Sequence, residues 1–138
     1  MRYYLDTNML IFILQKNRKE VSKNIQDILD DYSTILYAGS TAIKELVLLY
    51  RIGKISFNKY KSENDILDEL KKIGIEIVFF NQHHLKTYAS LKIIDSHKDM
   101  NDHAIIAQSI ADKIPVISSD GKFKEYANQG LKFVYNKR

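Results

Sequence analysis

Five short apolar runs, most of them followed by a stretch with helical spacing, limit the fold of this chain more than any other feature. The runs are RYYL (2–5), TILYA (34–38), EIVFF (76–80), PVISS (115–119) and LKFVY (131–135). Helical patterns fill the gaps: NMLIFIL, VSKNIQDILDDY, a segment capped by Ser40 and running to Gly53, the second half of FNKYKSENDILDELKKIG, QHHLKTYASLKI and NDHAIIAQSIAD. Alternation of this kind predicts an α/β fold with a central, mostly parallel sheet of about five strands and helices on both faces. In such sheets ligands bind beyond the carboxyl ends of the strands, near the point where strand order reverses. The residues that end the strands therefore matter most.

Two of them are acids. Asp6 directly follows YYL, and Asp120 follows PVISS. Each has an ordinary structural explanation, Asp6 as a helix N-cap and Asp120 in an Asp-Gly turn. Asp102 falls in the first turn of the helix NDHAIIAQSIAD, with Asp99 or Asn101 as its cap, where the helix dipole favours an ionised carboxylate. Glu45 sits inside STAIKELVLLYRIG, whose residues Ile43, Leu46, Val47 and Tyr50 form one face. The other stripe places Glu45 among Thr41, Leu48, Leu49 and Ile52, and a charge among aliphatics is usually paired or bound to a cation. As a set, two of these acids end strands, one opens a helix and one sits inside a helix that starts just after a strand, and a parallel sheet can bring all four to one edge. Clustered carboxylates raise one another's pKa values, and a hard divalent cation with oxygen ligands relieves the repulsion. Mg²⁺ or Mn²⁺ held there suits water activation and phosphodiester hydrolysis.

Composition fits that chemistry without demanding it. The 138 residues predict one domain over 1–138, and 21 Lys and Arg against 17 Asp and Glu give a net charge of +4, compatible with a polyanion. No cysteine is present, which removes disulfides and thiolate metal sites. The apolar run before Asp6 lacks the layout of a secretory signal, and no stretch approaches the ~20 apolar residues of a membrane span. The expectation is a cytoplasmic protein with no membrane association. His83, His84, His97 and His103 lack the i, i+4 spacing of helical zinc ligands, so the reading places the metal on carboxylates alone. Lys98, Lys122 and Lys124 flank the acids and suit phosphate steering as well as they suit a solvated loop.

The residues YLDTN, Glu45 and the block HKDMNDHAIIAQSIADKIPVISSDGKF (97–123), in this order, resemble the PIN-domain nucleases, and within them the VapC-type toxins of toxin–antitoxin pairs. The resemblance spans nearly the whole chain. It implies a three-layer α/β/α fold and Mg²⁺- or Mn²⁺-dependent endoribonuclease activity. Carried over by position, Asp6, Glu45, Asp102 and Asp120 would be the catalytic, metal-binding acids. Asn8, Ser118 and Asp99 would support those ligands or touch substrate. Ser118 stands where the family often has Thr, and MN at 100–101 replaces a Pro-aromatic pair, which leaves Asp99 and Asp102 as alternatives for the metal, with Asp102 favoured. RNA as substrate, a protein antitoxin as partner and a homodimer are further implications, with the apolar stripe of 40–53 as the candidate contact face. Two other readings remain at this point: a phosphoacceptor module built on Asp6, which would want an acid where Asn8 stands, and a non-catalytic PIN-like domain that only binds RNA or a partner.

Overall fold

The computed structural model describes all of residues 1–138, in the order β1 (Arg2–Leu5), α1 (Thr7–Leu14), α2 (Lys23–Asp30), β2 (Ile35–Gly39), α3 (Ser40–Arg51), α4 (Glu63–Lys72), β3 (Ile75–Val78), α5 (Gln82–Ser90), α6 (Met100–Asp112), β4 (Val116–Ser118) and β5 (Phe133–Tyr135). Short 3₁₀ segments at Arg18–Glu20 and Gly121–Gln129 complete it. The five strands form one sheet in the order β3-β2-β1-β4-β5, and every pairing is parallel. Helices cover both faces, giving the three-layer α/β/α arrangement. The sheet is thus parallel throughout.

Strand order fixes where chemistry can occur. From β1 the chain steps outward to β2 and β3, then returns to the other side of β1 for β4 and β5. The reversal lies between β1 and β4, whose register pairs Leu5 with Ile117. The backbone N–H of Asp6 extends that ladder by donating to Ile117 O at 3.1 Å. Asp6 and Asp120 therefore leave neighbouring strands on the same edge.

Helix α1 is apolar on every side, and its buried residues include Met9, Leu10, Ile11, Phe12 and Leu14. Such a helix belongs inside the molecule, and Met9 and Leu10 are wholly inaccessible. Helix α3 buries Ala42, Ile43 and Leu46 and leaves Leu48 exposed, as is Ile52 at its C-cap. Truncating Leu46 to alanine would cost about 2–5 kcal/mol, so this packing holds the helix that carries Glu45 firmly against the core.

Two local expectations change. Ser40 is the first residue of α3 rather than its cap; Gly39 occupies the cap position, and Ser40 Oγ instead accepts from Phe80 N at 2.9 Å. The hydroxyl thus ties the start of α3 to the chain leaving β3. Gly121–Gln129 is helical rather than a simple turn, with Asp120 as its N-cap.

Candidate metal centre

Asp6 resolves the choice between cap and site residue by being both placed as a cap and aimed at the reversal point. Its Oδ1 accepts from Met9 N at 3.0 Å, capping α1. Its Oδ2 accepts from Ser118 Oγ, at the end of β4. Each carboxylate oxygen has two lone pairs, so both remain able to bind a cation. Asp6 is 5% exposed, and Ser118 is fully buried behind it, away from solvent. Burial pushes the Asp6 carboxyl up to about 7; the bonds from Ser118 and Met9 oppose the shift, and the charges of Asp102 and Asp120 add to it.

The other acids converge on the same place. Asp6, Glu45, Asp99, Asp102 and Asp120 line one polar cavity of about 210 Å³, together with Thr7, Asn8 and Leu49. Asp99 caps α6 by accepting from Asn101 N and Asp102 N through Oδ1, at 2.9 and 3.1 Å. That cap sets the first turn of α6, from which Asp102 projects while the following Ile105, Ile106 and Ser109 are buried. Burial raises the Asp102 carboxyl to about 6, opposed by the bond from His97 and reinforced by the charges of Asp99 and Asp120. Asp120 Oδ1 accepts from Lys122 N at 2.9 Å, and its own N–H donates to Ser118 Oγ at 3.0 Å. Glu45 is held by Asn101, in the first turn of α6 beside Asp102, whose Nδ2 donates to Oε2 at 3.0 Å. Asn8 is exposed at the rim.

One residue was hidden from sequence reasoning. His97, which the sequence shows only as preceding Asp99, lies with Nε2 3.0 Å from Asp102 Oδ2. One ligand-type atom from each of His97, Asp102 and Asp120 lies within 4.8 Å of the others. Asp6 and Glu45 share the cavity but not that tighter trio. No histidine lines the cavity itself: His97 reaches it only through Asp102, His84 pairs with Asp112, His83 meets Ala111 O, and His103 Nε2 meets His97 O.

The residues present fit a hard divalent cation. The donor set is carboxylate oxygen, which suits Mg²⁺ and Mn²⁺. Burial, reinforced by the charges of neighbouring acids, raises Asp6 and Asp102 above the usual carboxylate range. Thr7, whose hydroxyl is the one buried side-chain polar atom without a hydrogen-bond partner, lines the same cavity.

The PIN domain family model matches residues 3–129, nearly the whole chain. The chain belongs to the PIN-domain family. None of the curated proteins matches it. Among solved structures, this PIN domain is similar to a chain of VapBC2 from Rickettsia felis bound to a DNA fragment from their promoter, with 22% identity over 99% of this chain and 100% of that one, at a TM-score of 0.69. It is also similar to VapBC-1 from nontypeable Haemophilus influenzae (19% identity, 98% of each chain, TM-score 0.64). A third is VapBC-5 from Mycobacterium tuberculosis, a member of the VapBC family of toxin–antitoxin systems (16% identity, 97% of this chain and 98% of that one, TM-score 0.59). At these identities the likeness is one of fold.

Proposed function

We propose that this PIN domain is a Mg²⁺- or Mn²⁺-dependent endoribonuclease, the toxin of a VapBC-type pair. The observation that carries the proposal is the convergence of Asp6, Glu45, Asp102 and Asp120 from four separate segments on one cavity beside the β1–β4 reversal. These four acids would hold the cation, which when bound supplies an activated water and neutralises charge on a phosphoryl group.

The chain's own residues do the rest. Asp6, anchored by Ser118 and by the cap of α1, forms the rigid floor of the cavity. Asn101 orients Glu45, and Asp99 fixes the turn that presents Asp102. Asn8, exposed at the rim, offers an amide N–H to a phosphate oxygen. Lys98, Lys122 and Lys124, which flank Asp99 and Asp120 in the chain, are exposed. With five of the 17 acids gathered inside it, the remaining surface is more positive than the net +4 suggests, which favours approach of a polyanion. A domain that only bound RNA would gain nothing from concentrating negative charge where phosphates must come.

The solved relatives named as VapBC support a protein antitoxin as partner, and the exposed Leu48 and Ile52 on α3 offer an apolar face for a second copy. No helix is long and apolar enough to cross a membrane, and a site for cellular RNA fits a cytoplasmic location.

The test is cleavage of a structured RNA by the purified protein with Mn²⁺, with Mg²⁺ and with EDTA. Cleavage with either metal, its loss in EDTA and its loss in Asp120→Asn are expected. RNA that is bound but left intact under every condition would make the domain a binding module.

A further inference from the structure

His97 is 6% exposed and belongs to none of the carboxylate positions discussed above, yet both its ring nitrogens are engaged. Nδ1 lies 2.8 Å from Tyr126 Oη, and Nε2 lies 3.0 Å from Asp102 Oδ2. Tyr126 is fully buried, and its oxygen also accepts from Ile94 N at 3.3 Å. A backbone N–H can only donate, so the phenolic proton must find another acceptor, and His97 Nδ1 is the one beside it. That leaves the ring proton on Nε2, from which it is donated to Asp102. The backbone of His97 is itself fixed, with His103 Nε2 2.8 Å from its carbonyl oxygen.

We infer that His97 is a positioning residue for the cation site, which orients the Asp102 carboxylate through a Tyr126–His97–Asp102 chain of hydrogen bonds and is not itself a ligand. The inference rests on the metal-dependent reading above. The direction of the chain decides between the two roles. A histidine that ligates a metal presents a bare nitrogen lone pair, whereas here Nε2 carries a proton and spends it on Oδ2. The bond holds Asp102 in one rotamer through Oδ2 and leaves Oδ1, which takes no protein hydrogen bond, available to a cation. Tyr126 belongs to the 3₁₀ segment capped by Asp120, so the same chain also couples the spacing of Asp102 and Asp120. Outer hydrogen bonds of this kind are worth about 10- to 100-fold in metal affinity.

The test is Mn²⁺ affinity by calorimetry on RNA-free protein, compared between His97→Gln and His97→Asn, with unfolding followed by circular dichroism. Glutamine places an amide N–H near the position of Nε2 and reaches Asp102. Asparagine places its amide near Nδ1 and does not. The expected result is near wild-type affinity for His97→Gln and a loss of about 10- to 100-fold for His97→Asn, at similar stability. Tyr126→Phe, which removes only the hydroxyl, should weaken Mn²⁺ binding in the same direction. Equal affinities for the Gln and Asn variants would overturn the positioning role while leaving the nuclease reading intact. A wild-type protein that binds no Mn²⁺ would overturn both.

Discussion

Ser118, the last residue of β4, donates its hydroxyl proton to Oδ2 of Asp6, the first residue beyond β1, and so joins the two strands at the point where the sheet order reverses. Ser118 Oγ also accepts from Asp120 N, so one buried hydroxyl locates two of the acids at once. Ser118→Ala should leave the Asp6 carboxylate and the Asp120 N–H each short of a partner. A loss of roughly 1–3 kcal/mol in urea unfolding is expected, with weakened Mn²⁺ binding. Ser118→Thr keeps the hydroxyl and should retain metal binding. Unchanged stability in the alanine variant would mean that the bond contributes nothing to the fold.

The raised carboxyls of Asp6 and Asp102 carry a sign that denaturation at several pH values can read. Their folded-state values, about 7 and about 6, lie above the ordinary 3.8. Between pH 4 and 7 the folded protein therefore holds more protons at these groups than the unfolded chain does, and their contribution to stability falls as pH rises. Asp6→Asn, which keeps the cap of α1, removes one such group. The variant should gain stability relative to wild type as pH climbs from 4 to 7, in metal-free buffer, and Mn²⁺ should narrow the difference by stabilising only the wild type. A difference that stays flat across this range would contradict the burial of an ionisable Asp6.

Gly39 closes β2 against α6. A Cβ there would lie 2.0 Å from Gln108 Oε1, and Gln108 is buried with its Nε2 bonded to Val78 O at 2.9 Å. Gly39→Ala should destabilise the fold by about 1–3 kcal/mol through overpacking, measured by thermal melting. Adding Gln108→Ala should recover part of the melting temperature lost by the single variant, because the obstructing side chain is gone. Failure of the double variant to recover any of it would place the strain elsewhere.

Much of this architecture is legible in the sequence because it rests on local signals. RYYL and PVISS read as strands from their apolar content, and α1 reads as a buried helix because NMLIFIL has no polar face. Parallel pairing then follows from the alternation, and it places Asp6 and Asp120 on one edge without any coordinates. What escapes is contact across long sequence gaps. Asn101 reaches Glu45 across 56 residues and Tyr126 reaches His97 across 29; no periodicity encodes either. His97 lies only five residues from Asp102, but its ring turns back toward α6 through a loop whose path the sequence does not state. Ser40 misleads for a related reason: a serine at a helix start reads as a cap, while its actual partner, Phe80, lies 40 residues on. The helical run Gly121–Gln129 is short of apolar spacing and was masked by its Asp-Gly opening.

As proposed, the cavity's carboxylates hold a divalent cation for cutting RNA. The most direct test of that role is the rate at which purified Asp6→Asn cleaves RNA in Mn²⁺, beside wild type and with circular dichroism confirming that both are folded. The wild type should cleave, and the variant should give no more product than the wild type yields in EDTA. A folded Asp6→Asn protein that cuts at the wild-type rate would contradict that role.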